Sequence, residues 1–481
     1  MSMKKRQLPA MIASLLIIPL AGQSAEWTTN KSVEVSSTYS DNSGLASGGG
    51  GQSETVIQVR PSLGISGEGA RMNLNFNYSL GAVFTDGKNG RDDIEDSHFL
   101  NARAEIEAIE DNLFLDIDAN AGISSVSSTA VVASDINTRS SNTTQTFSIK
   151  LSPYAKYRFG SYADALLRYS ADSLANQSNS NDSENSSWDL SLTSGKRFTA
   201  YSWVFSANQS ELKNKNGPTD ETSRLNLDMQ YRINRKFTAD FGIGHEENDY
   251  QNALRQYGGD TDGMTWDVGT TWTPNPRTTF QLSYGDRFTG EDWAMSLDYR
   301  HRKSTLKASY NTSVTNSRSE QIETLSVLAR DINGDPIFIG GQQLYLNVIQ
   351  PTLSSENIVQ SQFKLAYQYQ SRRTSVGVDF AFAERSYQTQ TLSTEDMTTA
   401  LNISHKLTPV SSLTSRISWV TRDDLTAVSD QELLSWSLGL SSSLGANSTL
   451  ALNYQYSENE DSTGANSYEE NRVQASLAMS F

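Results

Sequence analysis

Apolar and polar residues alternate strictly in many separate segments of the chain. In the segment 72–80, Met72, Leu74, Phe76, Tyr78 and Leu80 are separated by asparagine or serine. The same alternation recurs at 225–233, 264–268, 293–299, 363–369, 376–382 and 450–456. Successive side chains of a β-strand point to opposite faces, so each segment predicts a strand with one apolar and one polar face.

The connections between these segments alternate between short and long. Short connections fall at 159–161, 234–236, 274–277, 301–304, 370–373, 408–411 and 445–448. Long, polar and mostly acidic connections fall at 124–144, 171–187, 209–222, 244–262, 314–356, 383–396, 421–431 and 457–471. Short turns at one rim and long loops at the other are typical of outer-membrane barrels, whereas a β-sandwich has no reason to keep this order.

The predicted fold is all-β: a transmembrane antiparallel outer-membrane β-barrel of about 22 strands, with 18 and 20 left open, over residues 26–481. The alternation begins close to residue 26, so we expect no separate plug domain inside the barrel. Pro153 interrupts the alternation of the strand at 147–159 and predicts a bulge or a bend there. The largest extracellular loop is expected at 314–356.

The N-terminus has the features of a secretory signal peptide. Lys4, Lys5 and Arg6 precede a short apolar stretch from residue 11 to residue 20, and small residues follow up to Ala25. Residues 1–25 are therefore predicted to be removed. No later stretch approaches 18 consecutive apolar residues, so no transmembrane helix is expected.

The last strand ends on the final residue of the chain. Val473, Ala475, Leu477, Met479 and Phe481 alternate with polar or small residues. This segment resembles the C-terminal recognition signal of bacterial outer-membrane proteins, with serine where glycine is usual. The residues at its positions are Gln474, Ser476, Met479 and Phe481. The resemblance implies insertion by the barrel assembly machinery and a location in the bacterial outer membrane.

Composition and charge exclude several classes of function. The chain of 481 residues has no cysteine, which excludes disulfides and thiolate chemistry. Its net charge of -16 makes nucleic acid an unsuitable partner. Tyr and Trp lie near strand ends and predict two aromatic girdles in contact with outer-membrane lipid and lipopolysaccharide. The girdle residues are Trp203, Trp272, Trp293, Tyr299, Trp419, Trp436 and Tyr456.

The polar face of the strands is expected to line the lumen. The candidates on that face are Arg71, Arg103, Glu105, Asp116, Arg224, Asp228, Asp240, Asp267, Asp298, Lys364 and Asp379. Acids outnumber bases, which predicts a weak cation preference if the lumen is open. Inward aromatic residues, which a sugar channel would use, are limited to isolated positions such as Phe114.

Enzyme chemistry has little support in the sequence. The histidines are His98, His245, His301 and His405; His301 and His405 have no acid or serine at a diagnostic spacing, and no linear catalytic fingerprint occurs. We expect no enzyme, cofactor or metal site, although a hydrolase assembled from separate strands stays an alternative. Within 314–356, an apolar hairpin with a glycine turn at 340–341 could fold inward or project outward, and we favour the outward position.

Residues 273–302 contain a recurrent hairpin. Thr273-Pro274-Asn275-Pro276-Arg277 is followed by 282–290 and then by 293–302, which ends in Tyr299-Arg300-His301-Arg302. This hairpin is similar to one in the outer-membrane β-barrel family associated with PEP-CTERM sorting and exopolysaccharide gene clusters. The resemblance implies a role in exporting or anchoring exopolysaccharide, with polysaccharide and periplasmic export components as partners.

Three functions therefore stay open: a porin-like conduit or accessory factor for exopolysaccharide export, a structural or anchoring protein with a closed lumen, and a barrel hydrolase. The conduit is favoured because the inward face is polar and no plug is predicted.

Overall fold

The structure is a computed structural model that describes most of the predicted barrel. The described residues are 26–48, 51–85, 94–126, 142–177, 182–250, 261–319, 322, 338–339, 342–343, 357–387, 393–424 and 430–481. The predicted signal peptide, residues 1–25, and most of the 314–356 connection lie outside them.

The described residues form 24 strands. The first twelve are β1 Glu26–Ser40, β2 Glu54–Glu68, β3 Met72–Phe84, β4 Ile94–Ile109, β5 Leu113–Ser125, β6 Thr143–Phe159, β7 Ala163–Asn176, β8 Ser183–Ser194, β9 Tyr201–Asn214, β10 Thr219–Arg232, β11 Phe237–Asp249 and β12 Gly263–Asn275. The others are β13 Thr278–Arg287, β14 Gly290–Arg300, β15 Ser304–Asn316, β16 Phe338–Ile339, β17 Gln342–Gln343, β18 Asn357–Gln370, β19 Thr374–Tyr387, β20 Ser393–Lys406, β21 Ser411–Asp424, β22 Gln431–Ser443, β23 Ser448–Asp461 and β24 Tyr468–Ser480.

Twenty-two of these strands form one closed antiparallel sheet. Strands that follow one another in the chain are neighbours in the wall, β15 is followed in the wall by β18, and β24 pairs with β1 to close the barrel. This confirms the predicted all-β antiparallel barrel of about 22 strands. The two-residue strands β16 and β17 form a separate hairpin at the position of the predicted glycine turn.

The register gives every strand an outward and an inward face. Residues directly opposite each other in a ladder share a face, and Val35 opposes both Val59 and Leu477. These apolar side chains face outward, and Val35 is 43% exposed, whereas the inward Ser36 beside it is 2% exposed. The same parity, followed around the wall, places all seven predicted girdle residues on the outward face. Trp272 and Tyr299 lie near the rim of the short turns, and Trp293 and Trp419 lie further up their strands.

Both ends of the sheet and the short turns lie at one rim, which is the periplasmic rim of the predicted topology. Several outer connections are shorter than predicted, and those predicted at 171–187, 383–396, 421–431 and 457–471 are five or six residues between strands. The outer connection predicted at 209–222 is a four-residue turn, because the polar segments 209–213 and 219–223 pair with each other as strand ends above the apolar belt. The β13–β14 hairpin turns at Phe288 and Thr289.

Of the bulge or bend predicted at Pro153, the bulge is wrong, because neither ladder of β6 changes register there. Pro153 opposes Leu115, and the β5–β6 register continues through it without a shift. On the other side, the β6–β7 ladder resumes in the same register at Tyr154 and Arg168. Proline has no N–H to donate, and the β6–β7 ladder lacks the pairs at Ser152 and Pro153.

The most closely packed apolar group lies on the outward face of β3 to β6. Phe76, Leu100, Ala119 and Ala121 are buried there beneath larger neighbours. Every described strand longer than two residues belongs to the barrel wall, so the described residues contain no plug domain. In the described part of the chain, no helix is long and apolar enough to cross a membrane.

The barrel lumen as candidate functional site

The register places the predicted lumen residues of the strands on the inward face. These are Arg103, Glu105, Asp116, Arg224, Asp228, Asp240, Asp267, Asp298, Lys364 and Asp379. Arg71 differs, because it lies in the turn before β3 at the periplasmic rim. Its side chain contacts Glu110 of the next turn at 2.8 Å, and both side chains are exposed.

Inward charged residues in the periplasmic half of the barrel are solvated and paired with one another. Arg103 contacts Glu105 at 2.9 Å, and Lys307 contacts Asp298 at 3.9 Å. The side chains of Asp298 and Lys307 are 64% and 73% exposed. This half of the barrel is therefore a hydrated vestibule with charges of both signs on its wall.

An aromatic pair faces this vestibule. Phe114 on β5 and Tyr154 on β6 are stacked, with ring centroids 5.0 Å apart and an interplanar angle of 12°. The Lys156 ammonium lies 4.5 Å from the Phe114 centroid, and the Arg168 guanidinium lies 4.1 Å from the Tyr154 centroid. Asp116 accepts a hydrogen bond from Arg168 at 2.8 Å. The cations and rings attract each other, which fixes this cluster on the wall.

Phe114 is therefore not an isolated inward aromatic residue. Sequence reasoning missed Tyr154 because Pro153 was taken to break the alternation. Because the register is unbroken, Tyr154 has the same parity as the inward Lys150 and lies on the lumen face beside Phe114.

Three inward carboxylates cluster on β10, β11 and β12. Asp228 on β10 and Asp267 on β12 are both directly opposite Gly242 of β11. Asp240 is the next inward residue of β11, two positions before Gly242. A β-carbon at Gly242 would collide with the Asp267 carboxylate, so glycine allows the two acids to converge. Thr271 donates to Asp240 at 2.9 Å. We name Asp228, Asp240 and Asp267 the acidic wall.

The outer half of the lumen is packed. Inward residues there, such as Val83, Thr146 and Gln58, are at most 2% exposed. A buried ion triplet lies on β19 to β21, where Asp396 accepts from Arg422 at 2.6 Å and also pairs with Arg385. All three side chains are at most 6% exposed. In the described residues, the inward side chains are therefore solvent-exposed in the periplasmic half of the lumen and packed in its outer half.

Two contacts in the outer half join parts of the wall that are not neighbours. Arg318, two residues beyond β15, pairs with Asp172 of β7 and donates to the Ser183 hydroxyl of β8 at 2.8 Å. Strands β8 to β14 separate β7 from β15 in the wall. The Asn357 amide at the start of β18 donates to Asp220 of β10 at 3.0 Å. These contacts can form only if the chain next to β15 and β18 bends over the lumen.

The outward position favoured for the apolar hairpin within the 314–356 connection stays a prediction, but the start of this connection is described. Its described first residues, up to 319, turn inward rather than outward, because Arg318 is bound to β7 and β8. Burial of Arg318 lowers its pKa to about 10, so the guanidinium is charged at neutral pH. Elsewhere in the outer half, Tyr250 lies near Arg287 and Glu246, and burial raises its pKa to about 12.

The four histidines lie away from the lumen. His98, His245 and His405 have outward parity, and His301 lies in a short periplasmic turn. His98 contacts the Tyr78 hydroxyl at 2.8 Å on the outward face.

The predicted assembly signal forms the closing strand. Gln474 and Ser476 face inward and are buried, whereas Met479 faces outward. The Phe481 amide donates to the Lys31 carbonyl at 2.8 Å, and its side chain is 76% exposed at the periplasmic rim.

No protein-family profile and no curated protein sequence matches the chain. Solved structures do match. The siderophore receptor PirA from Acinetobacter baumannii has a TM-score of 0.53 at 6% identity, over 95% of this chain and 81% of that chain. A mutant of the ferric enterobactin receptor PfeA from Pseudomonas aeruginosa has a TM-score of 0.52 at 10% identity, over 95% and 81%. At such identities the likeness shows the fold alone.

The closed barrel, its outward apolar face and these similarities define the chain as an outer-membrane β-barrel protein. Its location is the outer membrane of a Gram-negative bacterium.

Proposed function

We propose that the protein is a gated, porin-like conduit that serves exopolysaccharide export. The observation that carries this proposal is the asymmetry of the lumen. Its periplasmic half is wide, charged and solvated, and its outer half is closed by side-chain contacts such as those of Arg318. A polar polymer could enter such a lumen from the periplasm, and the outer contacts would have to open to release it.

The Phe114–Tyr154 pair supports a saccharide as cargo. Aromatic rings pack against the apolar faces of sugars, and the neighbouring Lys156 and Arg168 could bind acidic sugar units. The resemblance of residues 273–302 to the PEP-CTERM-associated barrel family supports an exopolysaccharide in particular. Periplasmic export components would then deliver the polymer to the vestibule.

The alternative is a structural or anchoring protein with a permanently closed lumen. The packed outer half and the buried Arg385–Asp396–Arg422 triplet favour it. A hydrolase has less support, since three histidines have outward parity and the fourth lies in a turn, and we propose that the protein is not an enzyme. Insertion by the barrel assembly machinery and contact with lipopolysaccharide are part of the proposal.

Export is tested by gene deletion and by conductance. Deletion should reduce surface polysaccharide and leave intracellular synthesis unchanged, and purified protein in planar bilayers should conduct in brief openings. A silent barrel whose loss leaves surface polysaccharide unchanged would favour the anchoring function. Hydrolysis of added lipid or peptide that is lost on substitution of His98 or His245 would favour the enzyme.

The aromatic pair allows a sharper test. The double variant Phe114→Ala and Tyr154→Ala should lower polysaccharide export while the barrel is still inserted in normal amounts. Tyr157→Ala is the matched control, because Tyr157 lies on the same strand with outward parity. Equal export by both variants would show that the pair does not contact the cargo.

A further inference from the structure

The ladder between β14 and β15 is the shortest in the barrel wall. It has six residue pairs, from Arg300 and Thr305 up to Met295 and Tyr310. Both strands continue beyond it: β14 to Gly290, paired with β13, and β15 to Asn316, paired with β18. Segments 290–294 and 311–316 therefore lie on the two sides of a seam that no ladder closes.

This seam lies within the membrane. Met295 is five residues above the end of β14 at Arg300. With about 3.4 Å per residue and a strand tilt near 40°, the ladder ends roughly 13 Å above the periplasmic rim. The apolar band of such barrels is about 25 Å tall, so the seam begins near the middle of the bilayer and extends through the outer leaflet.

Side chains partly bridge the seam. The Thr312 hydroxyl contacts the Asp292 carboxylate at 3.0 Å and the Ser361 hydroxyl at 2.8 Å. Asp292 has inward parity on β14, whereas Thr312 has outward parity on β15. The hydrogen bond between these two side chains stands where backbone ladder pairs would otherwise connect the two strands.

The upper ends of the strands beside the seam make contacts elsewhere in the barrel. The chain next to β15 and β18 is bound to the far wall through Arg318 and Asn357. On the other side of the seam, Arg287 at the top of β13 is bound to Glu246 of β11 at 2.9 Å. The upper ends of the strands on the two sides of the seam are therefore bound to different parts of the wall.

We propose that the β14–β15 seam is a lateral portal between the lumen and the outer leaflet. Its occupant is the acyl chain of an amphiphile whose polar part lies in the charged lumen. Unpaired backbone groups facing hydrocarbon are costly, so the edges of the seam require a polar neighbour or water on the lumen side. Trp293, which faces outward beside the seam, is 54% exposed and marks its membrane side.

The geometry of the seam is tested with paired cysteines, which is simple because the chain has no cysteine of its own. Ser296→Cys with Ser309→Cys is the control, since these residues are directly opposite in the ladder. The test pair is Ala294→Cys with Asn311→Cys. If the register of the ladder continued into the seam, these two residues would be directly opposite, two positions above the control pair. In membranes, the seam pair should form its disulfide at least roughly tenfold more slowly than the control pair. Equal rates would overturn the proposal.

Access of lipid is tested by quenching. A fluorophore on Ala294→Cys should be quenched several-fold more strongly than one on Ala381→Cys, in vesicles of phosphatidylcholine that carries a brominated acyl chain. Ala381 has inward parity at a similar height on β19, where both ladders are complete. Equal quenching would overturn the portal. Neither readout depends on polysaccharide export, so the portal can fail while the proposed conduit stands, and the reverse.

Discussion

Arg318 and Asp172 are separated by 146 positions in the chain and form an ion pair within the outer half of the barrel. Their side chains are 11% and 10% exposed. The pair connects the chain beyond β15 to β7, and the Ser183 hydroxyl of β8 accepts a second hydrogen bond from the same guanidinium. One arginine thus joins two distant parts of the wall across the outer lumen.

Loss of this contact should open the outer lumen. Arg318→Ala removes one partner of a buried ion pair, a change that costs about 3–5 kcal/mol in other proteins. We expect longer or more frequent openings in planar bilayers, measured as open probability. Arg158→Ala is the control, because Arg158 pairs with Asp164 at 2.6 Å with both side chains exposed at the periplasmic rim. If both variants conduct like the parent protein, Arg318 does not hold the lumen closed.

The buried triplet should contribute more to stability than any exposed pair. Asp396→Asn removes the carboxylate shared by Arg385 and Arg422, so two buried guanidinium groups lose it. We expect the free energy of unfolding in lipid vesicles, measured with urea, to fall by about 3–5 kcal/mol. Asp298→Asn breaks an exposed pair with Lys307 and should cost at most about 1 kcal/mol. Similar losses for the two variants would contradict this ranking.

Gln145 should hold a second weak seam closed, between β4 and β5. The β4–β5 ladder ends at Leu100 and Ala121, and above it the Gln145 side chain bonds the His98 amide at 3.0 Å, the His98 carbonyl at 2.9 Å and the Gly122 carbonyl at 2.8 Å. Gln145→Ala leaves these backbone groups without that partner.

We expect Gln145→Ala to lower the free energy of unfolding by about 1–3 kcal/mol and to speed hydrogen exchange at the His98 amide. Gln230→Ala is the control, because Gln230 is exposed and has one long contact, to Ser202 at 3.5 Å. Unchanged exchange at His98 would show that Gln145 is not needed to seal the wall.

The alternation of residues predicted the strands, the faces and the closure of the barrel, since a period of two directly records which side meets lipid. It failed where that signal was weak. Segment 209–222 is polar on both faces because the strands extend above the membrane there, so polarity alone suggested a loop. Tyr154 was hidden by Pro153, although the register is unaffected.

The contacts that distinguish this lumen could not be predicted. Arg318 lies beyond β15 and Asp172 lies on β7, which is not its neighbour in the wall, and no periodicity relates the two residues. The seam at β14 and β15 likewise depends on how far the wall bends, which alternating residues on each strand do not encode. Sequence predicts the faces of such a barrel better than its cross-section.

The acidic wall should set ion selectivity when the lumen is open. Asp228, Asp240 and Asp267 lie close together and face the lumen, so they attract cations. Replacing all three by Asn should abolish the cation preference, measured as the reversal potential in a salt gradient. Asp164→Asn is the control, since Arg158 already neutralises Asp164 at the periplasmic rim. An unchanged reversal potential in the triple variant would place the selectivity elsewhere.

The terminal residue should matter for assembly more than for stability. Phe481 is 76% exposed at the periplasmic rim, and its one described backbone bond, to the Lys31 carbonyl, does not involve the side chain. A charge near the interface of a barrel costs only about 0–1 kcal/mol, so Phe481→Asp should leave the folded barrel stable. If the side chain is read during insertion, the variant should accumulate in the periplasm as protease-sensitive chain and fall in outer-membrane fractions. Leu444→Asp is the matched control, because Leu444 is an exposed apolar residue in a turn at the same rim. Equal outer-membrane levels for the two variants would show that the C-terminal phenylalanine is not a recognition element.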